Sequence, residues 1–273
     1  MQLDPHHGTP TYHQAVRKVD SACNRVFQRQ KERALAKNRS LSKARIFKSE
    51  DDSSDYSPSE YAEAIYETIY ETFYEMPPLV RPALEDAMLS GILNGMLQLE
   101  VHDTKLIAEA NTIARDYAAD RAAELVGMKY NVDGELVPNP RAEWAISDTT
   151  RDKIKRVVTE AFEGETKIAD VAAKIERALE EDGHGIFTAQ RAQTIANTEV
   201  SFAQAGGNFE VWKRSGLVQE VKWLVSNEGP CDECAENENV TVDFGSTFPS
   251  GDMLPPAHPN CRCVLIATKV GGD

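Results

Sequence analysis

Four of the chain's five cysteines fall between residues 231 and 263, in the pattern Cys231-x2-Cys234, twenty-three residues, His258-x2-Cys261-x-Cys263. Two short motifs far apart in sequence carry donors that are useful only when the fold brings them together, so the pattern demands a loop tied at both ends. A CxxC knuckle offers two thiolates at a bite suited to tetrahedral zinc, and His258 with Cys261 or Cys263 completes four ligands. Five candidates exceed what a structural zinc needs, so one is spare, and a C-x-C pair is a tighter bite than the usual second knuckle. Two metal-free readings stand beside zinc: a disulfide clip, and buried free thiols. A secreted disulfide scaffold would spread its cysteines along the chain, whereas here Cys23 is the single one outside the cluster, which points to a reducing compartment.

Enzymatic readings of the cluster are weaker. A zinc-bearing nuclease of the HNH type needs further histidines beside its catalytic metal, and His6, His7, His13, His102 and His184 lie far away in sequence. A thiol oxidoreductase wants its CxxC where a helix N-terminus lowers a thiol pKa. Here the motif sits among Pro, Gly, Asn and Glu, and Asp232 and Glu233 between the thiols act in the opposite direction. No GxSxG is present to suggest a hydrolase. A metal-dependent nuclease or other DNA-processing enzyme is kept as the alternative to a nonenzymatic protein.

The period of the hydrophobic pattern sets the fold class. Helical periodicity runs through YAEAIYETIYETFYEM, through residues 82 to 126, and through segments at 149–163, 167–182 and 188–214. Ser57, Pro58 and Glu60 predict a capping box that starts the first of these, Pro77 and Pro78 its end, and Thr149 with Asp152 a second box. Gly91 and Gly95 mark a close helix crossing or a break. The pattern then switches to period two in EVKWLVSN, where Val221, Trp223 and Val225 alternate with Lys222, Leu224 and Ser226, and RCVLIATK predicts a partner strand. The expected fold is α+β, predominantly α-helical: a helical N-terminal half, then a C-terminal helical domain with a small antiparallel β element closed by the Cys/His loop. The expected division is 1–55, 56–130 and 140–273, with the boundary in the Gly-, Asn- and Pro-containing stretch MKYNVDGELVPNPRAEWAIS, expected to be a loop.

Net charge is −14. Residues 1–48 carry eleven Lys and Arg against Asp4, Asp20 and Glu32, about +8, which leaves about −22 for the rest. Residues 1–55 therefore look like a basic, partly disordered arm and polar linker, with double-stranded DNA or an acidic protein surface as candidate partners of residues 1–48. No apolar run approaches the roughly 18 residues of a membrane span, so no membrane partner is expected. Glu63, Glu67, Glu71 and Glu75 repeat every four residues, with Tyr66, Tyr70 and Tyr74 in step. Such a ridge repels itself and would be relieved by a basic partner surface.

In RAQTIANTEVSFAQAGG, Ala192, Ile195, Ala196, Phe202 and Ala203 share one helical stripe, and Glu199 lies on it. A carboxylate facing a core needs a partner. Arg191 and Arg262 are the candidates, Arg262 preferred because a guanidinium between the last two cysteines would lock the loop onto this helix.

These pieces in order, an EWAIS segment, RAQTIANTEVSFAQAGGN, a strand with Trp223, CDEC and finally PPAHPNCRC, resemble the tailed-phage head morphogenesis proteins, the minor head proteins typified by phage Mu protein F and the gp7 group of phage SPP1. The resemblance covers about residues 140–268. Its most specific marker is the joint occurrence of the TE helix and the HPNCRC ending. It implies a minor capsid protein assembled in the host cytoplasm and carried in the virion at the portal vertex, acting in procapsid assembly or DNA packaging and delivery. The portal protein is then the implied partner, with major capsid or scaffolding protein as further candidates, and no reaction is implied. The marker positions are Arg191, Thr198, Glu199, Trp223, Cys231, Cys234, His258, Pro259, Cys261, Arg262 and Cys263; Asn197 departs from the basic residue often found before TE.

Overall fold

A computed structural model describes residues 10–46, 57–142, 145–163, 168–181, 184–225 and 231–271. Most of the expected linker, and Glu143 and Trp144 of EWAIS, lie outside them. Eight helices and five strands follow in the order α1 (Pro10–Ile46), α2 (Pro58–Tyr70), α3 (Met76–Leu99), α4 (Thr104–Glu124), β1 (Met128–Tyr130), β2 (Leu136–Pro138), α5 (Ile146–Phe162), α6 (Ile168–Glu181), α7 (Ala189–Ser215), β3 (Val218–Leu224), α8 (Asp232–Glu236), β4 (Thr241–Asp243) and β5 (Val264–Val270). A 3-10 turn, Glu71–Glu75, joins α2 to α3. The α+β, mostly helical class is as expected. Among the described residues, no helix is long and apolar enough to cross a membrane.

Four expectations need correction. The basic arm, expected to be partly disordered, is a single helix from Pro10 to Ile46. Beneath the charges of that segment lies an apolar stripe: Tyr12, Ala15, Val16, Val19, Cys23, Val26 and Phe27 recur at three- and four-residue steps and are all buried. Summing charge conceals such a stripe, because the basic residues occupy the opposite face. Pro77 and Pro78 do not simply end the second helix. They occupy the first turn of α3, where a missing N–H costs nothing. The boundary stretch holds a two-stranded hairpin, with Met128 opposite Pro138 and Tyr130 opposite Leu136. The capping box at Ser57 forms as predicted, Ser57 Oγ accepting from Glu60 N and Glu60 Oε2 from Ser57 N. The one at Thr149 does not: α5 starts at Ile146, and Thr149 donates back to Ala145 O inside the helix.

The chain divides into two compact units, each drawn from separated stretches of sequence. Long helices, α1, α3, α4 and α7, supply residues to both. One unit comprises residues 21–79 and 120–192. Its core holds Phe27, Tyr61, Ile65, Phe73, Ile154 and Ile175. The fully buried Asn38 organises it, accepting from Tyr61 Oη at 2.9 Å and donating to Ala172 O at 2.9 Å.

The other unit, residues 1–20, 80–119 and 193–273, carries the Cys/His loop. Its sheet has the order β4-β3-β5, all antiparallel, with Trp223 opposite Leu265 and Val221 opposite Val242. The predicted strand pair is thus present, and the insertion between the strands adds β4 to the free edge of β3. Val221 and Trp223 are buried, as the period-two pattern requires, and Val218 is buried as well beyond a register shift in the strand. Gly91 and Gly95 mark a close crossing: a Cβ on Gly91 would lie 2.2 Å from Gln204 O of α7, and one on Gly207 would lie 2.5 Å from Met88 O of α3.

Candidate metal centre and the loop it closes

Two elements present the donors. Cys231 N-caps the short α8, its Sγ accepting from Cys234 N at 3.4 Å, which folds the CxxC into a knuckle with both sulfurs on one side. The HPNCRC turn presents the rest. His258 Nε2 lies 3.0 Å from Cys231 Sγ and 3.3 Å from Cys234 Sγ, and Cys234 Sγ lies 3.7 Å from Cys261 Sγ. The donor atoms form two overlapping triads, Cys231–Cys234–His258 and Cys234–Cys261–Cys263, that share Cys234.

The donor types suit a tetrahedral metal, and Cys231, Cys234 and His258 already hold their donor atoms within 4.8 Å of one another, as do Cys234, Cys261 and Cys263. With metal–sulfur bonds of about 2.3 Å, the edge between two sulfurs of a tetrahedron is about 3.8 Å, close to the separation of Cys234 and Cys261. His258 Nδ1 lies 3.0 Å from Pro259 O. A carbonyl only accepts, so Nδ1 carries the proton and Nε2 turns its lone pair toward the sulfurs, the orientation that a ligating histidine needs. None of the five cysteines is in a disulfide, and 3.7 Å is far longer than the roughly 2.05 Å of such a bond.

Burial of the donors is graded. Cys231 is exposed and His258 half-buried, whereas Cys234, Cys261 and Cys263 are buried in one core with Trp212, Val221, Trp223, Phe248 and Leu265. Trp223 meets Phe248 edge-on at 5.1 Å. Burial pushes the Cys234 thiol far above its usual range; hydrogen bonding with Cys263, then burial, does the same for Cys261. Without a cation these are neutral core thiols. A divalent metal would reverse that preference.

The remaining loop is held by polar ties within the insertion. The fully buried Asn237 donates through Nδ2 to Ser250 Oγ at 2.8 Å and accepts from Ser250 N at 3.1 Å, while Ser250 Oγ donates to Asp252.

The sequence-predicted residues separate into groups. The five Cys/His residues and Trp223 come together. Glu199 is 4% exposed, so the stripe reading holds and its carboxylate is not at a solvent edge. Arg262, between two buried cysteines, is exposed. Arg191 belongs to the other compact unit, where Nη1 donates to Ile186 O (2.6 Å) and Thr150 Oγ1 (3.0 Å), and Nη2 to Thr149 Oγ1 (2.6 Å). Its guanidinium stands 5.1 Å from the Phe27 ring centroid. Arg191 is therefore a fastener of α5 to the start of α7.

One contact escaped the sequence reading. Thr198 Oγ1 accepts from Asn260 N at 2.8 Å, and Asn197 Nδ2 donates to Asn260 Oδ1 at 3.0 Å. Asn260 has φ +61°, a left-handed turn conformation that Asn tolerates. The TE helix thus holds the HPNC turn directly, and Asn197, a departure from the expected basic residue, takes part. The available signal was the Pro-Asn pair itself, a turn marker.

Residues 152–266 match the family model described as phage Mu protein F like protein. The span begins inside α5 and ends within β5, so it contains α6, the TE helix, the sheet and the entire Cys/His loop. The resemblance to head morphogenesis proteins read from the TE helix and the HPNCRC ending holds over that region. No curated protein and no solved structure matches the chain.

Proposed function

We propose, taking residues 152–266 as a head-morphogenesis region of the phage Mu protein F type, that the chain is a minor capsid protein of a tailed phage. It would sit at the portal vertex and act in procapsid assembly or in DNA packaging and delivery. The observation that carries the reading is the union of two motifs: the TE helix hydrogen-bonds the very turn that delivers His258 and Cys261. That arrangement builds a rigid surface and leaves the donors on a structural tie.

In this reading one zinc is held by Cys231, Cys234, His258 and Cys261, with Cys263 as the spare thiol packed behind them. Its chemistry would be structural, replacing the thiol protons and clamping α8 to the last strand. Arg262 is proposed to supply the counter-charge for Glu199. Portal protein is the proposed partner, with major capsid or scaffolding protein as further candidates. DNA contact through residues 1–48 draws less support than charge counting suggested, because Lys18 pairs with Asp86, Arg29 with Glu75 and Arg39 with Glu176.

Two measurements test this. Phage carrying an interrupting mutation in this gene should yield particles lacking the protein and a large fall in infectious titre; normal heads with a normal DNA content would overturn the assignment. Elemental analysis of the purified chain should give one zinc per chain, and zinc-free protein whose four clustered thiols react only after denaturation would overturn the metal. Loss of turnover on a nucleic-acid substrate with an intact fold in His258→Ala would favour the nuclease alternative.

A further inference from the structure

The glutamate ridge of α2 lines a cavity of about 550 Å³ inside the unit formed by residues 21–79 and 120–192. Along the ridge a carboxylate and a tyrosine recur together every four residues: Glu63 with Tyr66, Glu67 with Tyr70, Glu71 with Tyr74. The first pair already holds a cation. Arg151 binds Glu63 through two parallel hydrogen bonds, of 3.0 and 2.7 Å, and its guanidinium lies 5.4 Å from the Tyr66 ring centroid. That is a bidentate, ring-facing arginine site, whose two components reinforce each other. One turn further, Glu67 and Tyr70 repeat the spacing, and Glu71 follows at the start of the 3-10 turn. Neither Glu67 nor Glu71 has a cation within ion-pair reach among the described residues.

Two further groups point into the same space. Tyr66 and Ser147 are 6% and 3% exposed and both line the cavity, yet neither hydroxyl has a hydrogen-bond partner among the described residues. Buried hydroxyls ordinarily find partners. Neither hydroxyl is among the fully sealed polar atoms left without a partner, so each reaches the cavity, where solvent or a bound segment can pair with it. A Cβ on Gly127, which has φ +75°, would stand 2.8 Å from Ser147 Oγ, so a side chain there would crowd that hydroxyl.

The sign of the ligand follows from a count of charges. Glu63, Glu67, Glu71 and Asp148 line the cavity against Arg151, and Arg151 is already committed to Glu63. The uncapped start of α5 carries a partial positive charge of about half a unit, too little to offset three remaining carboxylates. An anion is excluded on this balance. The spacing then narrows the class: four helical residues advance about 6 Å, close to the ~6.6 Å between alternate residues of an extended chain. We propose that this cavity and the ridge beside it receive an extended segment of a partner protein in which Lys or Arg alternates with another residue, each cation seated on a successive Glu–Tyr pair.

The test uses the full chain and two fluorescein-labelled peptides of equal composition, one alternating Arg and Ser, the other with its arginines in one block. Fluorescence anisotropy should show the alternating peptide binding tighter, by about three-fold or more. Glu67→Gln/Glu71→Gln should weaken it about five-fold, on the scale of two exposed ion pairs, whereas Asp116→Asn/Asp120→Asn, which removes equal charge elsewhere, should leave it within about 1.5-fold. Carbodiimide coupling of a Lys-for-Arg version of the peptide should place its cross-links on Glu67, Glu71 or Asp148. Equal weakening by both double variants, cross-links scattered over other acids, or equal binding of the two peptides would reduce the effect to diffuse attraction by an acidic chain and overturn the proposal. Complete displacement by spermidine at matched charge would also overturn it, in favour of a small polycation.

Discussion

Neighbouring glycines in the middle of α7 should respond to the same substitution with opposite sign. Gly206→Ala places its Cβ 3.7 Å from Met88 Sδ and from Tyr117 Cε2, an ordinary contact distance. The helix then gains the propensity difference between Gly and Ala, about 0.8–1 kcal/mol. At Gly207 the same atom would stand 2.5 Å from Met88 O, 2.7 Å from Ile92 N and 2.8 Å from Gly91 C, all backbone atoms of α3. Backbone cannot rotate away, so α3 and α7 would have to separate by the better part of an ångström. A gap of that size forfeits about a quarter to a half of the dispersion well at each contact along the crossing, and overpacking of this kind costs about 1–3 kcal/mol. After the propensity gain, Gly207→Ala should destabilise by about 1–2 kcal/mol while Gly206→Ala stabilises by somewhat less than 1. At about 2 °C per kcal/mol for a chain of this size, the two melting temperatures should differ by roughly 5 °C. Differential scanning calorimetry of the purified variants reads this directly. If both variants shift in the same direction, or Gly207→Ala melts above Gly206→Ala, the close crossing inferred for α3 and α7 is wrong.

Three other substitutions probe the ties. Arg191→Met should cost about 3 kcal/mol, because it strands Ile186 O and leaves the hydroxyls of Thr149 and Thr150 without their donor. Arg191→Lys should recover little of that, since an ammonium lacks the planar fork, and denaturation midpoints that match wild type in the Lys variant would contradict the role. Thr198→Val removes the acceptor for Asn260 N and should cost about 1–2 kcal/mol, with faster proteolysis inside residues 257–263, whereas Thr198→Ser should restore both. Arg262→Ala should lower the melting temperature and speed cleavage of the same loop, and combining it with Glu199→Gln should cost less than the sum of the two. Unchanged stability in Arg262→Ala would end its assignment to Glu199.

Local signals were legible where one residue type has one physical job. Ser57 with Glu60, the alternation around Trp223 and the glycines at 91 and 95 each predicted what the structure contains, because caps, pleats and close crossings depend on short stretches of chain. What failed depended on tertiary context. The apolar stripe of α1 was hidden under ten basic residues, and only packing shows which face is inside. The strands of the hairpin, three residues each, are too short to show a period. The donor set of the Cys/His cluster was visible by type, whereas its pairing by geometry, with Cys234 shared between two triads, required coordinates.

The tie between Thr198 and Asn260 also changes what the cysteine loop requires. Had the cluster alone closed the insertion, metal would be needed both to position the HPNCRC turn and to hold it. Hydrogen bonds from α7 already position that turn, and Asn237 with Ser250 orders the chain between the two motifs. The second pair of ligands is therefore preorganised by the TE helix, and a cation arriving at Cys231 and Cys234 would meet His258 and Cys261 with little further ordering to impose. The two motifs therefore work together in this chain: one carries the candidate donors, and the other holds their turn in place.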